Sequence, residues 1–110
     1  METQLYGFIN VTFISYALTN YGFIIWTENG EDCIIVDPGH VAPIQSFLSL
    51  HQLTPGSILV THKQHDHSYG VKEMHLLYPE AQIVSSTFDR VNDATLLIST
   101  NQKKEINFDF

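Results

Sequence analysis

Apolar residues fall along this chain of 110 residues in short blocks separated by turn-forming residues. The run "LYGFINVTFISY", Leu5 to Tyr16, is rich in β-branched and aromatic side chains and predicts one or two strands. "YGFIIWTE" and "DCIIVD" flank Asn29-Gly30, the strongest short-range hairpin signal. Both runs are almost continuously apolar (Phe23, Ile24, Ile25, Trp26; Cys33, Ile34, Ile35, Val36), which predicts a sheet covered on both faces. Asp37-Pro38-Gly39 ends the second run, and Pro43 suits the first turn of a helix. Ile44, Phe47, Leu48 and His51 follow at helical spacing, so a helix is expected from about Ala42 to Gln52. Thr54-Pro55-Gly56 reads as a turn and "SILVT", Ser57 to Thr61, as a short buried strand. A second helix is expected from Gly70 to Tyr78, stopped by Pro79. "AQIVSS" and "TLLIST" predict two further strands, and the alternation from Lys104 to Phe110 predicts an edge strand. This order of elements describes an α/β chain with helices packed on a mixed sheet.

Composition narrows the partners. With 44% apolar and 12% aromatic residues the chain is globular, and its length fits one domain spanning residues 1–110. A net charge of −7, with only five Lys and Arg, argues against nucleic acid and anionic membranes as partners. Cys33 stands alone, so no internal disulfide can form, which suits a reducing compartment. Its place in "CIIVD" predicts an inert core thiol. "METQLYGF" lacks the basic start and apolar core of a signal peptide, and no apolar run approaches the roughly 20 residues that span a bilayer. A soluble, cytoplasmic protein is the expectation.

The chemistry concentrates in "VTHKQHDHSYG", Val60 to Gly70. This segment leaves the carboxyl end of the "SILVT" strand, where ligands gather in α/β sheets. Imidazole nitrogen and carboxylate oxygen are ligands that zinc and iron accept. Crowding His62, His65, Asp66 and His67 together is costly unless a cation holds them: charged imidazoles repel, and buried neutral ones need partners. A solvated polar loop with chance histidines is the competing reading. His40, His51 and His75 stand apart and are expected on the surface or on helix faces.

"THKQHDHSYG" resembles the Thr-His-x-His-x-Asp-His-x-x-Gly signature of the metallo-β-lactamase superfamily, and within it glyoxalase II, the hydroxyacylglutathione hydrolases. "LTNYGFIIW", "CIIVDPG" and "YPEAQIVSSTFDR" resemble further segments of that family, so the likeness runs from about Thr19 to Arg90. The histidine motif and Val36-Asp37-Pro38-Gly39 together, at this separation, are more specific than either alone.

The resemblance implies an αββα sandwich, of which this chain supplies the first half: a mixed sheet with helices on one face. It implies zinc, with iron or manganese as alternatives, and up to two metals in the complete site. His62 matches a ligand of the first metal, and Asp66 and His67 match ligands of the second. Asp66 also matches the residue that orients the attacking water, and Asp37 one that supports the ligand histidines by fixing tautomer and ring direction. Gly70 lets the chain turn closely into the helix. The family's second histidine falls on Gln64, a poor zinc ligand, with His65 next to it: either the loop shifts by one residue and His65 binds, or the first site is weakened, and the weakened site is the expectation. A further histidine, a bridging aspartate, a last histidine and most glutathione-gripping residues of the family have no candidates here, so the domain is expected to be truncated.

The activity implied is metal-dependent hydrolysis of a small-molecule hydroxyacyl-glutathione thioester to a hydroxy acid and glutathione, weakened in this chain. The alternative is a non-catalytic module of the same fold that acts in binding or assembly; a lactonase or a mononuclear-iron persulfide oxygenase shares the same loop. Half a sandwich leaves an apolar sheet face open, so a homo-oligomer or a second chain completing the sandwich is expected.

Overall fold

The strands lie across one sheet in the order in which they occur along the chain. The computed structural model describes residues 1–17, 20–61, 70–86 and 94–98. Strands β1 (Glu2–Tyr6), β2 (Ile9–Ala17), β3 (Asn20–Trp26) and β4 (Asp32–Val36) form an antiparallel meander. Helix α1 (Val41–His51) then leads to β5 (Thr54–Val60), and α2 (Val71–Leu77) to β6 (Gln82–Ser86) and β7 (Leu96–Ile98). From β4 onward the pairing is parallel, and helices α1 and α2 make the crossovers from β4 to β5 and from β5 to β6.

Register gives the two faces their characters. Thr12, Ile24, Ile35, Ile58 and Ile83 lie side by side across five strands. The four isoleucines are 0% exposed because α1 and α2 cover them with Val41, Ile44, Phe47, Leu48, Val71 and Met74. Each such burial stabilises the fold by about 1.5–3 kcal/mol. Trp26 closes one end of this core, its ring edge against Phe47 at 5.4 Å and its indole N–H donating to the Thr12 hydroxyl at 2.9 Å. One residue along, Phe13, Phe23, Val36, Leu59, Val84 and Leu96 form the corresponding row on the opposite face. The expectation of a sheet covered on both faces is met in part on this side: Val36 and Val84 are buried, and Phe13, Phe23, Leu59 and Leu96 are half-buried.

Local expectations meet mixed outcomes. The first apolar run does split into two strands, at a tight turn where Gly7 takes φ 66. The Asn29-Gly30 hairpin exists, but its connection spans residues 27–31 rather than a two-residue turn. There the Thr27 hydroxyl accepts the Gly30 N–H at 3.1 Å and organises a wider loop. Thr54-Pro55-Gly56 is not a turn but the start of β5. The register steps from Cys33↔Pro55 to Ile34↔Ser57, so Gly56 is a bulge residue and Pro55 sits where a missing N–H is tolerated. Helix α1 starts one residue before the expected Ala42 and ends one before Gln52, which caps it in the left-handed conformation, φ 54. The expected edge strand from Lys104 to Phe110 lies outside the described residues. Among the described residues no helix is long and apolar enough to cross a membrane.

Cys33 is 0% exposed in the core. Burial, and then the neighbouring Asp32 carboxylate, push its thiol from the ordinary 9.0 up to about 12. The core position expected of this thiol from sequence is observed. The folded protein is expected to resist thiol alkylation near neutral pH and to react fully once denatured. Folding favours the protonated thiol, so its contribution is complete below pH 9.0 and is lost as pH rises towards 12. The loss runs at up to about 1.4 kcal/mol per pH unit. Denaturant titrations should show this slope in the wild type and a flatter one in Cys33→Ala.

Candidate metal centre

The site begins where β4 ends. Asp37 takes φ 54, a left-handed backbone that aspartate tolerates better than most residues. Its N–H still donates to the Leu59 carbonyl at 2.8 Å, carrying the β4–β5 ladder one residue further. The chain then tightens, the Gly39 N–H donating to the Asp37 carbonyl at 2.8 Å.

The Asp37 side chain is 3% exposed, so its carboxylate must be satisfied within the protein. The Thr61 N–H donates to Oδ1 at 2.7 Å, and the Thr61 hydroxyl donates a second, short bond to Oδ2. Thr61 immediately precedes His62. Both carboxylate oxygens thus hold the residue from which the histidine segment departs.

The other end of that segment is held by the same turn. The Gly70 N–H donates to the Pro38 carbonyl at 2.7 Å, and Gly70 caps α2. Its φ of −85 is open to any residue; what demands glycine is space. A Cβ there would collide with the Pro38 carbonyl oxygen and lie 2.7 Å from Val41 Cγ2. Residues 37–39 therefore fix residues 61 and 70 at once, one on each side of the histidine segment. Fixing the two ends of a segment removes part of the chain entropy that bringing its residues together would cost.

His62, Gln64, His65, Asp66 and His67 lie within 62–69, outside the described residues. Among the described residues no group of three or more His, Cys, Asp or Glu could hold a metal. The candidate ligand set expected from sequence offers three imidazoles and a carboxylate, donors of the kind that divalent transition metals accept. Asp37 is expected to support the ligand histidines, which lie outside the described residues; its described bonds go to Thr61. Sequence reasoning gave Thr61 no role; the signal was its place in front of the first histidine, with both a backbone and a side-chain donor to offer.

The isolated histidines stand elsewhere. His40 is exposed at the N-cap of α1 and makes no side-chain cap bond. His51 is exposed, but its ring lies 4.6 Å from Trp26 and 4.3 Å from Phe47. His75 on α2 is half-buried, with its Nδ1 buried and without a hydrogen-bond partner among the described residues.

Residues 17–103 match the family model of the metallo-β-lactamase superfamily, and the chain belongs to that superfamily. The match takes in the 37–39 turn, the histidine segment and α2. Among curated relatives, the hydroxyacylglutathione hydrolase of Salmonella arizonae is 35% identical over 92 residues, covering 82% of this chain and 36% of that protein. The hydroxyacylglutathione hydrolase of Erwinia tasmaniensis is 40% identical over 77 residues, covering 68% of this chain and 30% of that protein. The chain thus spans about a third of the length of these relatives. Among solved structures, VMB-1 superposes with a TM-score of 0.59 at 16% identity, covering 91% of this chain and 52% of that one. DIM-1 metallo-β-lactamase superposes with a TM-score of 0.61 at 12% identity, covering 96% and 54%. Those likenesses are of fold alone. They agree with the architecture described above, a mixed sheet with its helices on one face, forming part of the superfamily's α/β sandwich.

Two substitutions test the anchors. Asp37→Ala removes both acceptors from Thr61 and is expected to destabilise the protein by about 2–4 kcal/mol, with Asp37→Asn costing less. Gly70→Ala forces the Pro38 turn and α2 apart and is expected to cost about 1–3 kcal/mol. Chemical denaturation of the purified variants measures both.

Proposed function

We propose that this chain carries the metal-binding part of a hydroxyacylglutathione hydrolase-type metallo-hydrolase. The observation that carries the reading is the double anchorage of the histidine segment by residues 37–39. Its family match and its identity to relatives named hydroxyacylglutathione hydrolase support it.

His62, Asp66 and His67 are the residues that would hold metal, with His65 in reach of the sequence position where Gln64 stands. A bound divalent metal supplies a Lewis acid for the thioester carbonyl and an acidified water. Asp66 would orient that water. Asp37, through Thr61, sets the direction in which the chain enters the ligand segment. The substrate class is a hydroxyacyl thioester of glutathione, and the products are a hydroxy acid and the free thiol. The proposed metal is zinc, with iron or manganese as alternatives, and the proposed compartment is the cytoplasm.

Gln64 favours a second reading. An amide in place of a ligand imidazole weakens the first site, so a module that keeps the fold for binding or assembly fits the same residues.

Elemental analysis and a thioester-cleavage assay on one sample separate the two. A metallo-hydrolase is expected to purify with near-stoichiometric zinc, iron or manganese and to release thiol from a hydroxyacyl-glutathione thioester. His67→Ala is expected to lose the metal, and Asp37→Ala to weaken metal affinity roughly 10–100-fold. Protein that stays metal-free after incubation with zinc, and whose stability His67→Ala leaves unchanged, would sink the hydrolase reading in favour of the module.

A further inference from the structure

We infer that the outer edge of β1 is a self-pairing surface, on which a second copy of this chain adds its own β1 in antiparallel register. Every residue of β1 is exposed, and among the described residues β1 pairs on one side only, with β2. Which backbone groups face outward follows from the turn. Gly7 has φ 66, Phe8 does not have a positive φ, and Tyr6 pairs with Ile9, so Gly7 and Phe8 form a two-residue type II′ loop. Residues flanking such a loop exchange hydrogen bonds, and the exchange alternates along the ladder. Tyr6, Gln4 and Glu2 therefore bond to β2, while the N–H and C=O groups of Thr3 and Leu5 point away from the sheet. The hydroxyls of Thr3 and Thr12 meet at 2.8 Å, as suits the closer, non-bonded kind of pair.

An edge of this kind is ordinarily blunted by lysine, proline or a bulge. This one carries none of them. No Lys or Arg precedes Lys63 in the chain, and Glu2 is the sole charged side chain of β1. Large apolar side chains crowd the hairpin instead: Met1 is 66% exposed, Leu5 65%, Tyr6 57% and Phe8 67%.

The strand is also complementary to itself. Set Gln4 against Gln4 of the partner subunit, and Thr3 falls opposite Leu5 of the partner subunit. All the outward backbone groups of Thr3 and Leu5 then find partners. Glu2 falls opposite Tyr6 of the partner subunit, and the two Glu2 carboxylates stand four residues apart along the strand. At 3.3–3.4 Å per residue that is about 13 Å, beyond the screening length of about 8 Å at physiological salt. A chain of net charge −7 can therefore self-associate here with little like-charge contact. The product is one continuous sheet through both copies, with helices on the same face of each half.

Light scattering and amide hydrogen exchange on the full chain test this across the micromolar range. The wild type is expected to reach twice the chain mass, with the Thr3 and Leu5 amides becoming protected as the dimer forms. Leu5→Pro removes an outward N–H and no bond to β2; it is expected to give a monomer of unchanged circular dichroism. Leu5→Lys, which carries no backbone penalty, is expected to do the same. A wild type that stays monomeric, or whose dimer leaves the Thr3 and Leu5 amides unprotected, overturns the proposal. So does a dimer that survives Leu5→Lys but is lost in Phe23→Asp, which would assign the contact to the half-buried sheet face.

Discussion

The bonds from Thr61 to the buried Asp37 carboxylate are the constraint on which the candidate site depends. They join the ends of two adjacent parallel strands, and they do so just where the chain must leave the sheet. A carboxylate that is 3% exposed is costly unless its oxygens are occupied, and Thr61 occupies both with donors from a single residue. The same turn accepts the Gly70 N–H through Pro38. A small structural unit, Asp37-Pro38-Gly39, thereby holds the residues on both sides of the histidine segment. The left-handed backbone at Asp37 is the local strain that this arrangement supports, and strain of that kind collects at functional sites.

The two faces of the sheet show how burial is divided. Helices α1 and α2 close one face, and the row of isoleucines beneath them is sealed from water. The other face repeats the apolar character but not the cover: Phe13 and Phe23 pack edge to face at 5.0 Å and still keep part of their surface open. In VMB-1 and DIM-1 nearly half of the length has no counterpart in this chain. The β1 edge is a separate matter, governed by backbone valence rather than by apolar area.

Much of the fold was legible because its signals are local. Continuous apolar runs marked β3, β4 and β5, and helical spacing of Ile44, Phe47 and Leu48 marked α1 to within a residue. Gly70 and Pro79 framed α2. The errors also share a cause. Pro55 and Gly56 look like a turn in isolation, yet a β-bulge against Cys33 and Ile34 absorbs them into a strand. Asn29-Gly30 looks like a tight hairpin, yet the Thr27 hydroxyl selects a wider one. In each case a partner distant in sequence, or a side-chain bond, overrode local propensity.

The sequence by itself determined the family, the order of elements and the cluster of donor residues, because periodicity and motif spacing are written along one dimension. Only the tertiary structure decided what the Asp37 carboxylate holds: Thr61, twenty-four residues away, with Gly70 docked on Pro38 by lack of a side chain. It also decided which apolar residues face helices and which face outward, since neighbouring residues of a strand point to opposite sides and only strand register says which side is covered.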